Sequence, residues 1–291
     1  SPDLTRQGYK WFWRATPHDN YFTKDLFEFL KGMTEGKVKG VAAVPKKDIT
    51  NLAAACEKTE WGSAVAELIE KFAKEYGFEL KKSILYGAKA TDLSSEVRSL
   101  TAVKPDAMLF ASYGSDSILM MKSLKDQKAQ PKVLWGQNAG FEVPEFVNTL
   151  GDTTIGVLTR TVFIPKVGQV KPVAAKVNAM YKAKTGNDLS GASARAFTGL
   201  QAWVHVLEKA GSLKPADIQK AANAIEIAGE ELVVPWQGIK FATTGEDIGQ
   251  NIQGSGLIGQ YQKGADGKID LEIVYPFNLA TAKMIYPFPK F

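Results

Sequence analysis

Two histidines, His18 and His205, and one cysteine, Cys56, are all the imidazole and thiol that this 291-residue sequence offers. A single cysteine excludes an internal disulfide and any multi-cysteine metal site, and its setting among small apolar residues in NLAAACEKTEW reads as core. Two histidines cannot build a zinc site without carboxylate help, and His205, two positions after Trp203 in a helical pattern, reads as a satisfied or surface histidine. There is no G-x-S-x-G elbow, no phosphate loop, no H-E-x-x-H and no G-x-G-x-x-G after a first strand. GSGLIGQ at 254–260 stands among turn residues with no helix to follow. The expectation is a protein that is not an enzyme, with no metal and no cofactor.

What remains is a set of aromatic and neutral polar residues at strand-to-helix loops. TEWG places Trp61 at a helix start, and ASYGSD places Ser112, Tyr113 and Ser115 at another helix N-terminus, where N–H groups and the dipole favour an anion or polar oxygen. WGQNAG places Gln137 and Asn138 at the same edge. Open α/β sheets bind ligands at the carboxyl ends of their strands, so these loops describe a small-molecule pocket and not an acid/base pair.

The elements that must position them alternate between strand and helix from residue 20 to 160. A helical stretch with Phe22, Leu26, Phe29, Leu30 and Met33 leads into VKGVAAV (38–44), whose length and apolar run suit a buried strand. Next come the helix EWGSAVAELIEKFAKEYG, with Gly77 as its stop, and the strand FELKKSILYG. The helix in TDLSSEVRSLTAVKP, strand DAMLFASYG, helix SDSILMMKSLKDQ, strand KVLWGQNAG, short helix PEFVNTLG and strand TIGVLTRTVF complete the series. Five strands separated by helices are βαβ units, which right-handed crossovers assemble into a parallel, doubly wound sheet.

Residues 168–224 read as helices only, and the middle one carries Phe197, Leu200, Val204 and Leu207 on one stripe, with Trp203 beside it, which is expected to bury against something. Short strands in GIKFAT, GSGLIGQYQ and KIDLEIVYP close the chain. The expected division is residues 1–18 as a crossover with part of a first lobe, 19–160 as a complete α/β lobe, 161–230 as the helical part of the first lobe, and 231–291 as a crossover with C-terminal strands.

Composition agrees with a globular chain: 45% apolar and 23% charged residues, and no apolar run of the roughly 18 to 20 residues that a membrane span needs. No signal-type stretch opens the sequence. The net charge of +5 is spread without an Arg-rich stripe, so nucleic acid is not the expected partner.

Several of these runs resemble the type I periplasmic binding proteins, the solute receptors of ABC importers in the branched-chain amino acid family. KWFWRATPHDNYF is similar to that family's FR-x-x-P-x-D stretch, and TEWGSAVAELIEKFAKEYGFEL to its aromatic-Gly helix entry. ATDLSSEVRSLTAVKPDAMLFASYGSDSILMMKSLKDQ is similar to its P-D strand and glycine loop, GASARAFTGLQAWVHVLEKAGS to its long helix, and YPFNLATAKMIYPFPKF to the endings of its amide- and aromatic-acid-related branches.

The resemblance implies a Venus-flytrap receptor of two doubly wound lobes, one complete and one partial here, that holds a small molecule in the inter-lobe cleft. It implies an N-terminal segment of the family lacking from this sequence, a membrane permease as partner, a monomer, and a periplasmic location or a lipid anchor at the outer face of the cytoplasmic membrane. An alternative is a ligand-sensing regulatory domain of the same fold. Carried over, Trp61 takes the place of the family's stacking aromatic and Tyr113 that of its lobe-two tyrosine. The family's acidic anchor for an α-ammonium falls at Gln137 or Asn138, both neutral, which favours an amide or a carboxylate without an amine over a free amino acid. Ala192 and Ser193 stand where an aromatic is frequent, and Arg195 could meet an anionic ligand.

Overall fold

The computed structural model describes residues 1–291 and divides into two compact units, Ser1–Phe22 with Val162–Gly256 (unit 1) and Thr23–Thr161 with Leu257–Phe291 (unit 2). Residues 257–291, expected within a closing segment of their own, belong with unit 2.

Unit 2 is built on a seven-stranded sheet of β1 (Asn51–Glu57), β2 (Glu79–Tyr86), β3 (Ala107–Ala111), β4 (Val133–Gly136), β5 (Leu158–Thr161), β8 (Leu257–Lys263) and β9 (Ile269–Tyr275), in the order β2-β1-β3-β4-β5-β8-β9. The first five are parallel, and β8 and β9 extend the edge in antiparallel fashion. Helices α2 (Asp19–Thr34, across the unit boundary), α3 (Glu60–Tyr76), α4 (Ser94–Thr101), α5 (Gly114–Asp126) and α6 (Pro144–Leu150) connect them.

One correction concerns the first strand. VKGVAAV (38–44) is not a strand: Gly40 takes φ +83°, Val41 N–H closes a turn onto the Val38 carbonyl at 3.1 Å, and no ladder forms there. The first strand is NLAAACE, and its alanines hide it, since alanine is a poor strand former with no side chain to reveal a period of two. The small residues are what the packing needs. Ala54 and Cys56 lie under the cluster built by Phe27, Leu30, Ile69 and Phe72, while Ala53 and Ala55 lie under Val97, Leu100, Met120 and Phe146, so the sheet is covered on both faces.

Unit 1 holds the short α1 (Asp3–Arg6), α7 (Pro172–Thr185), α8 (Gly191–Ala210) and α9 (Pro215–Asn223), with a two-stranded antiparallel sheet of β6 (Glu226–Ala228) and β7 (Gly238–Lys240). Trp11, Phe12 and Trp13 form no strand, and only Arg14 bridges, to Gln250. Buried Asn251 ties the segments together: its Nδ2 donates to the Ala15 and Gly238 carbonyls, and its Oδ1 accepts from the Lys240 and Gln253 amides. Asp19 is the first residue of α2, and His18 Nδ1 accepts the Asn20 N–H at 3.2 Å.

The expected stripe of α8 is also corrected. Its buried face is Gly191, Ala194, Thr198, Ala202 and Val206, whereas Phe197, Leu200, Trp203 and Val204 lie 40–63% exposed. Small residues allow close approach of neighbouring backbone, and the larger stripe faces away. No helix of the chain is long and apolar enough to cross a membrane.

Candidate functional site

The strand order 2-1-3-4-5 reverses direction between β1 and β3, and in open α/β sheets the crevice beyond the carboxyl ends of such a pair is where ligands bind. Trp61 follows β1 and Ser112 and Tyr113 follow β3, so both flank that point. Thr59 caps α3 by accepting the Gly62 N–H at 3.1 Å, which sets Trp61 in the first turn. A side chain at Gly62 would strike the Glu57 carbonyl, so the helix can start this close to the strand only with glycine there.

Tyr113 is the N-cap residue of α5, half-exposed, and its ring lies 5.1 Å from that of Trp61 with the planes tilted 55°. Ser112 beneath it is fully buried; its Oγ takes the Tyr86 hydroxyl at 2.6 Å and its carbonyl takes the Gly140 N–H at 3.0 Å. Ser117 Oγ donates to the carbonyls of Gly114 and Gly140, at 2.8 and 2.9 Å. These bonds join the loop after β4 to the loop after β3.

Gln137 and Asn138 stand on that joined loop, both buried. Gln137 Oε1 accepts the Trp135 indole N–H at 3.2 Å, which orients the amide and leaves Nε2 buried without a partner. Asn138 Nδ2 is likewise buried and unpartnered. Asn138 and Ala139 hold φ +54° and +43°, and such backbone strain in non-glycine residues clusters at ligand clamps.

Of the residues named from the sequence, Trp61, Ser112, Tyr113, Ser115, Gln137 and Asn138 thus lie on loops or first helical turns at one edge of unit 2. Ser193 and Arg195 belong to unit 1. Ser193 is occupied in a capping box, its Oγ accepting the Ser190 N–H at 2.8 Å while Ser190 Oγ accepts the Ser193 N–H at 3.2 Å. Arg195 is half-buried on α8.

Sequence reasoning missed two carboxylates at the same edge. Glu57, the last residue of β1, is 4% exposed and accepts the Tyr113 N–H on Oε2 at 3.3 Å; Asp116, in the first turn of α5, is 1% exposed and accepts from Ser115 Oγ at 3.0 Å. Burial pushes Glu57 above the ordinary carboxylate range, the Tyr113 amide opposes this, and Asp116 adds to it by repulsion. The one sequence signal was position: each acid sits at a strand or helix end within four residues of a residue already singled out.

No triad of histidine, cysteine and carboxylate that could hold a metal is present, and burial pushes the Cys56 thiol up to about 12, leaving it a core residue. The edge combines an aromatic face with amide donors and buried acids, which suits holding a small molecule.

A family profile described as "Periplasmic binding protein" matches residues 23–255. The chain is 26% identical over 289 residues to the Leu/Ile/Val-binding protein homolog 7 of Brucella suis, covering 98% of this chain and 68% of that protein. It is also 26% identical over 288 residues to the Leu/Ile/Val-binding protein homolog 8 of Brucella abortus, covering 97% and 67%. Among solved structures, a putative branched-chain amino acid ABC transporter from Silicibacter pomeroyi matches with TM-score 0.79 at 15% identity, over 98% of this chain and 72% of that one. A leucine binding protein from Thermotoga maritima matches with TM-score 0.74 at 17% identity, over 96% and 71%. At those identities the two structures speak for the fold. The loops at the switch point, the doubly wound sheet and the profile over residues 23–255 converge: this chain belongs to the type I periplasmic binding proteins of the branched-chain amino acid family, substrate-binding proteins and not enzymes.

Proposed function

We propose that this chain is the extracytoplasmic solute receptor of an ABC importer, a monomer that holds one small molecule at the Trp61–Tyr113 edge and presents it to a membrane permease. The observation that carries the ligand side is the pair of buried, unpartnered amide donors, Gln137 Nε2 and Asn138 Nδ2, on the loop bonded to the one that bears Tyr113. A buried donor without a partner costs about 1–3 kcal/mol, and a ligand oxygen that supplies the missing acceptor recovers it. An ammonium group has nothing to offer those donors. The ligand inferred is a carboxylate or an amide without an ammonium group, whose oxygen meets Gln137 and Asn138 and whose hydrocarbon or aromatic body lies on Trp61 and Tyr113; the carboxylate of a free amino acid meets the same donors, but its ammonium finds no acceptor in the two amide nitrogens. The relatives, Leu/Ile/Val-binding protein homologs, point to Leu, Ile and Val as the competing class.

Thermal unfolding with isovalerate, benzoate, isovaleramide and L-leucine separates the two. A ligand at about a hundred times its Kd stabilises by roughly 2.7 kcal/mol. The expected outcome is stabilisation by a carboxylate or amide and none by L-leucine at equal concentration. Stabilisation by L-leucine alone overturns the ligand class, and none by any compound overturns the receptor reading for this edge.

A further inference from the structure

We propose that Tyr261 on β8 and Ser117 on α5 are positioning residues of the ligand face: their hydroxyls cap the single 3-10 turn Ala139–Phe141 and so fix the side-chain amides of Gln137 and Asn138. It rests on the reading that those two amides meet the ligand.

The turn does not satisfy its own carbonyls. In a 3-10 turn each carbonyl accepts the N–H three residues on, as the Asn138 carbonyl does from Phe141 at 2.9 Å and the Ala139 carbonyl from Glu142 at 3.1 Å. The next two carbonyls are met by side chains. Ser117 Oγ donates to the Gly140 carbonyl at 2.9 Å, and the Tyr261 hydroxyl donates to the Phe141 carbonyl at 2.7 Å. The residue three on from Phe141 is Pro144, which has no N–H to give, so that carbonyl needs a donor from outside the turn. The need is sharpened at the start of the turn, where Asn138 and Ala139 hold φ +54° and +43°, a conformation that non-glycine residues keep only when their surroundings enforce it.

Tyr261 is built to enforce it. The residue is 4% exposed, its N–H donates to the Val157 carbonyl at 3.0 Å and its carbonyl accepts the Gly156 N–H at 2.8 Å, so the backbone that bears the ring is itself fixed. Its ring lies 5.8 Å from that of Phe146, which meets Phe141 edge to face at 5.2 Å. Phe141 in turn lies against Gly136, where any side chain would strike the ring, and Gly136 directly precedes Gln137. Contacts from β8 and α5 thus grip the chain on both sides of Gln137 and Asn138. Releasing the Phe141 carbonyl lets that backbone leave the strained conformation, and the two amide nitrogens turn away with it.

The test uses the full chain, labelled with 15N, and its first half needs no ligand. The side-chain amide resonances of Gln137 and Asn138, identified by their loss in Gln137→Glu and Asn138→Asp, are compared among wild type, Tyr261→Phe, Ser117→Ala and Thr154→Val. Thr154 is the control, since its Oγ1 donates to the Gly151 carbonyl at 2.8 Å, a bond of the same kind elsewhere in unit 2. Both resonances are expected to move in Tyr261→Phe and Ser117→Ala and to stay in Thr154→Val. Resonances that stay in Tyr261→Phe, or that move as far in Thr154→Val, overturn the proposal; if Tyr261→Phe does not fold, Ser117→Ala decides it by the same criterion. With isovalerate as probe, affinity is expected to fall about two- to tenfold in Tyr261→Phe and in Ser117→Ala, the range that one hydrogen bond supplies, and to hold in Thr154→Val. Moved resonances with unchanged affinity also overturn it. Failure of both isovalerate and isovaleramide to bind the wild type counts against the receptor reading, while the resonances still decide whether the two hydroxyls hold the turn.

Discussion

Unit 2 covers its seven-stranded sheet on both faces, whereas unit 1 combines helices with a sheet of only two strands and leaves Phe197, Leu200, Trp203 and Val204 of α8 exposed. The contrast separates two uses of hydrophobic residues. In unit 2 nearly every large apolar side chain is part of a two-sided core, and the edge that carries Trp61 and Tyr113 stands on that rigid platform. In unit 1 Phe163, Leu232, Val233, Val234, Trp236 and Ile239 are buried and polar ties such as Asn251 join the segments, while the larger side chains of α8 face out. Burial tracks stability at about 25 cal/mol per Å² of apolar surface, so a buried leucine such as Leu109 of unit 2 is worth several times more than an exposed one such as Leu200 of unit 1.

The strongest challenge to that contrast is Phe110→Ala, which removes a fully buried ring from the β3 strand. It is expected to cost about 3–5 kcal/mol in chemical denaturation. A loss under 1 kcal/mol would mean that the two-sided core is far more accommodating than its packing indicates.

Acid and base act on the two units in opposite senses. His18 in unit 1 is buried, with Nε2 3.4 Å from Asp247 Oδ2, and its pKa is lowered, first by burial and then by the Arg14 charge, against the pull of Asp247. A lowered histidine contributes stability that is present above its unfolded value near 6.5 and is lost as pH falls through the folded value. Glu57 in unit 2 is raised, first by burial, so its contribution is present below the ordinary carboxylate range and is lost as pH rises through the folded value. Thermal midpoints recorded from pH 4 to 9 should show the acid limb flattened in His18→Gln and the loss above the carboxylate range flattened in Glu57→Gln. Limbs that change in the same sense in both variants would remove the contrast.

The smallest effect is expected at Leu200, 63% exposed on α8, where alanine should cost less than about 0.5 kcal/mol. A cost near that of Phe110→Ala would show that the outer face of α8 is covered in solution.

The alternation of strand and helix in 60–161 was legible because each element carries its own period and its own stop, as Gly77 does for α3. The loops that bear Trp61, Tyr113, Gln137 and Asn138 were legible for the same reason: they follow from where strands end. The first strand was not, because in NLAAACE the residues are small to suit two packed faces, and smallness leaves no pattern. The buried face of α8 was misread because a stripe of large apolar residues ordinarily marks the core, and here the small residues approach the neighbours instead.

What the sequence determined by itself is the set of βαβ units, the absence of a nucleophile or metal set, and the loops that could meet a ligand, all of which rest on local periodicity and residue type. What only the tertiary structure decided is the strand order that brings the ends of β1 and β3 to a switch point, and with it the bond from the Tyr113 amide to the Glu57 carboxylate. Those residues are 56 positions apart, and no local pattern encodes contact at that distance; it arises when parallel crossovers lay two strand ends side by side and a buried carboxylate must find a donor that water no longer supplies.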